Sequence, residues 1–278
     1  MLDKILLWYV KNIPHHRGKK KLIRFADRFR LHKGIQKISR GGITWLIDTA
    51  DLIQWHLFYY GSYEPEETQW MKQYIQPGMV VFDVGANIGY YTILLSKLVG
   101  ENGAVHSFEA APTTFNRLKE HMRINLCTNI RVHQLAVSDK NGECMIYCAE
   151  DSNTGESRLE GFDGFKNKES VSCITLDSYF QKEPVNKVDF IKIDVEGAEM
   201  LVINGALSLL NNQRPTVMLE INPLFLSRMG SDVTTLIATI KNIGYNMFHF
   251  HQGTLDPCND INVSLKGKEN INVVFISQ

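Results

Sequence analysis

Val80-Val-Phe-Asp-Val-Gly-Ala-Asn-Ile-Gly-Tyr-Tyr-Thr92 is the stretch of sequence that decides the fold. It starts as an apolar run typical of a buried strand, reaches an acid at Asp83, and passes through a glycine turn into a helical pattern. Strand, turn and helix in this order form one β/α unit. Further along, short β-branched runs alternate with helical stretches, which predicts an α/β domain around a mostly parallel sheet. We expect one strand over 130–137, an added hairpin of 143–149 and 170–174, one helix over 198–210, and a helix over 232–243 that Asp232 caps.

The glycine turn differs from the dinucleotide-binding pattern Gly-x-Gly-x-x-Gly. Here the spacing is Asp-x-Gly-x-x-x-Gly, formed by Asp83, Gly85 and Gly89. A glycine turn lets a ligand approach the backbone, but the Asp83 carboxylate makes the loop unfavourable for a diphosphate. S-adenosylmethionine fits better because it carries an ammonium and a sulfonium and no phosphate. Two alternatives remain open, an ordinary strand-turn-helix corner and an NAD-dependent oxidoreductase.

Glu109 ends the second apolar strand, about 20 residues beyond the glycine turn. A carboxylate at this point of a β/α sheet is placed to accept hydrogen bonds from the two hydroxyls of a ribose. Alone it indicates little, since acids at strand ends are often solvated loop residues. Together with the Asp83 loop it predicts a nucleoside site.

Four stretches, 83–92, 108–112, 136–139 and 191–199, together resemble the FkbM-type family of S-adenosylmethionine-dependent methyltransferases. The most distinctive of them is Asp194-Val-Glu-Gly-Ala-Glu199. Where the family usually has Glu-Pro after the second strand, this chain has Glu109-Ala-Ala-Pro112.

The resemblance implies a class I methyltransferase fold, a Rossmann-like sheet of seven strands with the last one antiparallel and helices on both faces. It also implies O-methylation of a hydroxyl on a sugar or other small metabolite. We expect the methyltransferase domain to span 76–278 and a basic, helical N-terminal segment to span 1–75. A methyltransferase-like binding or scaffold protein without catalysis is an alternative.

The resemblance also assigns cofactor-binding residues. The methionine part of S-adenosylmethionine would lie on the loop after the first strand, the ribose on the acid after the second, and the adenine beside the end of the third. The residues expected there are Asp83, Gly85, Asn87, Gly89, Glu109, Ala136 and Ser138.

Asp194 and Glu196 are the predicted catalytic residues, because ligands of open α/β sheets bind beyond the carboxyl ends of the strands. An aliphatic hydroxyl must lose its proton during methylation, and a carboxylate within hydrogen-bond reach helps by roughly 10²- to 10⁴-fold. Glu199, on the following helix, is expected to be structural. The prediction is a metal-free site, with Mg²⁺ held by Asp194, Glu220 and Asn222 as the alternative.

The N-terminal segment differs in charge from the rest of the chain. Residues 1–40 carry twelve basic and two acidic side chains, a net charge of +10, whereas the remaining 238 residues carry 18 basic and 28 acidic ones, a net charge of −10. Basic residues between Arg17 and Arg30 surround an apolar stripe at helical spacing, which predicts an amphipathic helix. This helix could dock on the protein itself, on an anionic membrane surface or on an anionic partner.

Composition excludes other classes. No apolar run reaches the roughly 20 residues of a membrane-spanning helix, and the stretch from Ile5 to Val10 is too short for a signal peptide, so we expect a cytoplasmic protein. The five cysteines lack metal or disulfide spacing. Nucleic acid is a disfavoured substrate, because no base-gripping Asn-Pro-Pro-aromatic element follows the fourth strand. Nothing in the sequence indicates the oligomeric state.

Overall fold

The computed structural model describes residues 5, 8–9, 34–48, 52–149, 157–158 and 165–278. The basic helix predicted between Arg17 and Arg30 lies outside these residues. Within the segment 1–75, which the sequence predicts to be helical, residues 35–48 form an antiparallel hairpin of β1 (Ile35–Arg40) and β2 (Ile43–Asp48). Two helices follow it, α1 (Leu52–Tyr60) and α2 (Pro65–Tyr74).

From residue 80 onward strands and helices alternate as the sequence predicts, except for the consecutive strands within 130–174 and 245–257. The strands are β3 (Val80–Val84), β4 (Ala104–Phe108), β5 (Ile130–His133), β6 (Ala136–Val137), β7 (Gly142–Ala149), β8 (Ser157–Arg158), β9 (Phe165–Ile174), β10 (Phe190–Ile193), β11 (Thr216–Ile221), β12 (Tyr245–His251), β13 (Thr254–Pro257) and β14 (Ile271–Ser277). The helices are α3 (Tyr90–Val99), α4 (Pro112–Ile124), α5 (Leu176–Lys182), α6 (Glu199–Asn204), α7 (Leu207–Gln213), α8 (Pro223–Arg228), α9 (Val233–Asn242) and α10 (Ile261–Leu265).

The central sheet has the strand order β13-β12-β14-β11-β10-β3-β4-β5. Strands β5, β4, β3, β10 and β11 are parallel, and β14 runs antiparallel to both of its neighbours. The predicted class I sheet with an antiparallel last strand is therefore confirmed. β13 adds an eighth strand at the edge, where it pairs with β12.

Alternate residues of the central strands enter two cores, one on each face of the sheet. Phe82 and Ile191 pack with the apolar residues of α5, α6 and α7. Val81 and Phe190 face the other way and pack with α3 and the N-terminal elements. This alternation is what a strand covered on both faces requires.

The N-terminal hairpin shares the second core with the sheet domain. Trp45 is 1% exposed, stacks on Tyr90 with ring centroids 5.8 Å apart, and meets the edge of His121 at 5.1 Å. The backbone N–H of Leu46 donates to Nε2 of His121 at 3.0 Å. The hairpin of β1 and β2 therefore packs directly on α3 and α4.

Two predicted elements are divided. The run expected as one third strand, 130–137, forms β5 and the short β6, which pairs with β9 in a separate sheet. The helix expected over 198–210 breaks at Gly205, where a side chain would lie 2.1 Å from the carbonyl oxygen of Ser138. The predicted added hairpin is present as β7 and β9.

Among the described residues, no helix combines the length and the apolar character needed to cross a membrane.

Candidate active site

The loop from Asp83 to Gly89 connects the carboxyl end of β3 to α3. Gly85 has φ +80°, and a Cβ at this position would lie 1.8 Å from the carbonyl oxygen of Asp194. The close approach of the backbone that follows β10 therefore requires a glycine here. The sequence pattern instead predicts that this glycine allows the approach of a ligand. Gly89 (φ +91°) precedes α3, and a side chain there would meet Leu118 at 2.3 Å.

Asp83 is completely buried at the start of this loop. Its Oδ2 accepts a hydrogen bond from the hydroxyl of Thr92 at 2.5 Å, whereas its Oδ1 has no hydrogen-bond partner among the described residues. Burial raises the pKa of Asp83, and the charge of Lys192 acts in the opposite direction. A buried carboxylate oxygen without a donor is costly, so Oδ1 of Asp83 is a candidate acceptor for a donor that the described residues do not supply.

Glu109 ties the loop to the end of β4. Its Oε2 accepts from the backbone N–H of Asn87 at 2.7 Å, and its Oε1 accepts from the N–H of Ala111 at 2.9 Å and the hydroxyl of Thr114 at 2.8 Å. Burial raises the pKa of Glu109, and these three donors counteract the effect. Since a carboxylate has about four acceptor positions, one position remains on Oε2 for a ligand hydroxyl.

Asn87 adopts a left-handed backbone conformation with φ +51°, and its side-chain oxygen accepts from the N–H of Ile88 at 2.7 Å. This turn directs the Asn87 N–H towards Glu109. The structure therefore brings together four of the predicted cofactor residues, Asp83, Gly85, Asn87 and Glu109, around the ends of β3 and β4.

The two residues predicted to border the adenine are placed differently. Ala136 is buried in a small apolar cluster that includes Ala111, so it lies beside the loop that follows Glu109. Ser138 is also buried, and its carbonyl oxygen faces the backbone of Gly205. Ala136 thus adjoins the Glu109 loop, whereas Ser138 packs at the junction of α6 and α7.

Three carboxylates meet at the carboxyl ends of β10 and β11. One oxygen from each of Asp194, Glu196 and Glu220 lies within 4.8 Å of the others. Burial opposes the ionisation of Asp194, but the Lys192 ammonium 2.8 Å from its Oδ2 holds the pKa of Asp194 below the ordinary value. Burial and the charge of Asp194 raise the pKa of Glu220 well above the ordinary value. Glu220 is therefore the protonated partner in its hydrogen bond with Asp194.

The same residues fit a divalent cation poorly. Lys192 already supplies a cation to Asp194, and an ammonium at 2.8 Å repels a metal ion at that oxygen. Asn222, the third ligand in the metal alternative, instead caps α8 by accepting from the N–H groups of Leu224 and Phe225 at 3.1 and 3.3 Å. This geometry favours the metal-free alternative.

Glu199 stabilises the turn from Asp194 to Glu199 through its side chain. Oε1 of Glu199 accepts from the N–H groups of Val195 at 3.4 Å and Gly197 at 3.0 Å, which agrees with the structural role expected for it. Burial raises the pKa of Glu199 to about 7. Glu196, within the turn, has φ +53°.

Sequence reasoning missed the groups that complete this edge: Tyr63, Glu64, Tyr91, Lys192 and Asn272. The Lys192 ammonium is buried and lies 4.5 Å from the centre of the Tyr91 ring. Glu64 accepts from the hydroxyl of Tyr91 through Oε2 and from the amide of Asn272 through Oε1, the latter at 2.8 Å. A lone lysine in the apolar strand Phe190–Ile193 was the available signal, because a buried ammonium needs a buried carboxylate partner.

Comparison with known proteins identifies the family of the chain. The family model described as the methyltransferase FkbM domain matches residues 83–247. Over 159 residues the chain is 29% identical to the 31-O-demethyl-FK506 methyltransferase FkbM of Streptomyces tacrolimicus, covering 47% of this chain and 60% of the relative. Over 162 residues it is 26% identical to the hexuronic acid methyltransferase AglP of Haloferax volcanii, covering 58% and 62%. The chain thus spans about three fifths of these relatives.

Among solved structures, the chain is similar to a methyltransferase FkbM from Methylobacillus flagellatus KT. The sequence identity is 18% and the TM-score 0.46, over 72% of this chain and 43% of that one.

Proposed function

The chain belongs to the methyltransferase FkbM family, whose model matches more than half of it, and we propose that it is an S-adenosylmethionine-dependent O-methyltransferase. The acceptor is a hydroxyl of a sugar or other small metabolite. The observation that carries the proposal is the buried, unpartnered Oδ1 of Asp83 beside a glycine turn, at a sheet edge dominated by carboxylates.

Charge supports the choice of cofactor. The described residues at this edge include the carboxyl groups of Glu64, Asp83 and Asp194, and Lys192 is the buried cation among them. Such a site attracts a ligand with net positive charge and repels a diphosphate. S-adenosylmethionine brings an ammonium and a sulfonium, whereas NAD brings two phosphates, so the site favours the former.

The loop geometry supports an assignment of the cofactor-binding residues. The 83–89 loop would hold the amino-acid part, with Asp83 Oδ1 accepting from its ammonium. Glu109 would accept from a ribose hydroxyl through its remaining acceptor position on Oε2, and Ala136 would line the adenine. Ser138 would not contact the cofactor directly and would stabilise the backbone at the α6–α7 junction.

When bound, the cofactor supplies a methyl group on a positively charged sulfur. The protein's own contribution is to orient the acceptor oxygen towards that methyl and to take its proton; orientation alone is worth up to roughly 7 to 11 kcal/mol. Asp194 and Glu196, at the carboxyl end of β10, would position the acceptor. As the oxygen–methyl bond forms, the methyl–sulfur bond breaks, the proton passes to a carboxylate, and S-adenosylhomocysteine leaves.

The relatives support a hydroxyl acceptor. One is named for 31-O-demethyl-FK506 and the other for a hexuronic acid, so methylation of oxygen is represented in the family. In this chain the acid-rich edge disfavours an anionic acceptor such as a uronate, and a neutral polyhydroxylated acceptor fits better.

The test uses S-adenosylmethionine with a ¹³C-labelled methyl group, the purified protein and a small-molecule extract of the organism that produces it. We expect label to appear in a methoxyl group, recognised by its carbon chemical shift. Label on nitrogen or carbon would contradict the proposal. Binding of S-adenosylhomocysteine without transfer to any extract fraction would favour the non-catalytic binding protein instead.

A further inference from the structure

Asp194 is a weak base in this structure. Its Oδ2 is paired with Lys192, and it also shares a hydrogen bond with Glu220. Both contacts stabilise the ionised form, so Asp194 has little tendency to take a proton from a hydroxyl. These contacts suit a carboxylate that orients the hydroxyl to be methylated. The group that takes the proton from this hydroxyl is therefore one of the neighbours of Asp194.

Glu64 is held in a strained position beside them. Its backbone has φ +43° and ψ 73°, in the left-handed region, directly before Pro65 at the start of α2. This conformation is unfavourable for a residue with a side chain and is disfavoured again by the following proline. Non-glycine residues held in this way cluster at functional sites. Asn87 and Glu196, in the other two loops of the site, also have a positive φ.

Both carboxylate oxygens of Glu64 accept a hydrogen bond. Tyr91, in the first turn of α3, donates its hydroxyl to Oε2, and Asn272 of β14 donates its amide to Oε1 at 2.8 Å. Two hydrogen bonds use about half of the acceptor positions of a carboxylate and leave the rest for a further donor. The group is therefore oriented but still able to accept a proton.

Glu64 also lies on the same edge as Asp194. The Tyr91 ring that carries its hydrogen-bond donor packs against the Lys192 ammonium, and Lys192 pairs with Asp194. Burial raises the pKa of Glu64 to about 7. Lys192 and the Tyr91 hydrogen bond lower this pKa, whereas Asp194 and Glu67 raise it. A carboxylate with a pKa near the working pH is suited to general base catalysis.

We propose that Glu64 is the general base that takes the proton from the acceptor hydroxyl, while Asp194 orients that hydroxyl. The inference rests on the proposed function. The acceptor O–H bond breaks, its proton passes to a free position on the Glu64 carboxylate, and its oxygen bonds to the methyl group that leaves the cofactor's sulfur. Tyr63, whose pKa is raised by burial and by Glu64, Asp194 and Glu220, stays protonated and can donate to the acceptor.

The first test needs no acceptor. Protein labelled with ¹³C at the glutamate carboxyl carbons is titrated by NMR, and the Glu64 signal is identified by its loss in Glu64→Gln. We expect a midpoint near pH 7, and a higher midpoint in Tyr91→Phe because that variant removes a donor that favours the ionised form. A Glu64 midpoint close to the ordinary glutamate value of about 4.3 would overturn the proposal.

The second test measures single-turnover methyl transfer to the extract fraction that accepts label. We expect Glu64→Gln to slow transfer by about 100-fold or more while S-adenosylhomocysteine binds with unchanged affinity. The matched control is Glu66→Gln, an exposed carboxylate in the first turn of α2, which should keep the parental rate. The parent rate should rise with pH through about 7, and in Tyr91→Phe this rise should move to higher pH.

The outcomes separate the two proposals. If the parent protein fails to bind S-adenosylhomocysteine or to methylate oxygen, the proposed function fails, whatever the NMR titration shows. If the parent methylates oxygen and Glu64→Gln does so at a comparable rate, the proposed function stands and Glu64 is not the base.

Discussion

The ammonium of Lys192 lies 2.8 Å from Oδ2 of Asp194, and both side chains come from the carboxyl-terminal end of the central strand β10. Burial alone would lower the pKa of Lys192, but Asp194, Asp83 and Glu64 raise it above the ordinary value, so the lysine stays charged. One buried cation therefore serves carboxylates from three separate parts of the chain.

Replacing this cation should be costly. Lys192→Met leaves the carboxylates it serves buried without a counter-charge, and we expect a loss of about 3 to 5 kcal/mol in the free energy of unfolding. Urea denaturation measures it. The control is Lys187→Met, which removes an exposed lysine paired with Asp189 and should cost about 1 kcal/mol or less. Equal stability of the two variants would mean that Lys192 does not balance the buried acids.

Gly85 is predicted to be irreplaceable for structural reasons. In Gly85→Ala the new methyl group would press on the Asp194 carbonyl oxygen at a positive φ, so we expect a loss of about 2 to 5 kcal/mol. Gly78→Ala is the matched control, because Gly78 has φ +89° with no atom within 4 Å. It should cost only the conformational strain of about 1 to 2 kcal/mol. Thermal denaturation of both variants decides, and similar losses would contradict the proposed contact with β10.

Glu109→Gln should weaken the cofactor site and the loop that forms it. An amide presents a donor where the carboxylate accepts from Asn87 or from Ala111 and Thr114, so at least one of these hydrogen bonds is lost. We expect the affinity for S-adenosylhomocysteine to fall by about 1 to 3 kcal/mol in calorimetry. Glu101→Gln, at an exposed position, should bind like the parent. Unchanged affinity of the Glu109 variant would mean that Glu109 stabilises the loop and does not bind the cofactor.

Stability should decrease in weak acid because of a buried histidine. His106 Nδ1 lies 2.6 Å from the hydroxyl of Tyr179, which lies 2.7 Å from Nε2 of His133, and burial lowers the pKa of His106 to about 4. Between pH 6.5 and about 4 the unfolded chain binds this proton and the folded chain does not. The free energy of unfolding should therefore fall as the pH decreases through this window.

The slope from this group is at most about 1.4 kcal/mol per pH unit. Urea denaturation at a series of pH values measures it. His106→Gln should flatten the dependence, whereas replacement of the exposed His251 by Gln should leave it unchanged. An equally steep dependence in the His106 variant would assign the effect to other groups.

Much of the fold could be predicted because its decisive signals are local. The strand, glycine turn and helix from Val80 to Thr92 lie within one short stretch, and each residue's conformation is largely set by its immediate neighbours. The same holds for the capping of α9 by Asp232, whose side chain accepts from the N–H of Thr235. Alternation of strands and helices was then sufficient for the parallel sheet.

The acceptor side could not be predicted in the same way. Glu64 and Asn272 are 208 residues apart in sequence and meet only because β14 inserts next to β11 in the sheet. The hairpin of β1 and β2 was not predicted, although Ile43, Trp45 and Ile47 alternate with less buried residues, because alternation over six residues is a weaker signal than the helical spacing of the basic stretch before it. The sequence predicts that Gly85 is needed for the approach of a ligand; the contact of Gly85 with the carbonyl oxygen of Asp194 could not be predicted, since it depends on tertiary packing.

The most direct test of the account is a calorimetric titration of the purified protein with S-adenosylhomocysteine and, separately, with NAD. The geometry of Asp83, Gly85 and Glu109 predicts that one S-adenosylhomocysteine binds per chain and that NAD releases no heat. Binding of NAD, or binding of neither compound by a folded protein, would contradict the central claim that this edge of the sheet is an S-adenosylmethionine site.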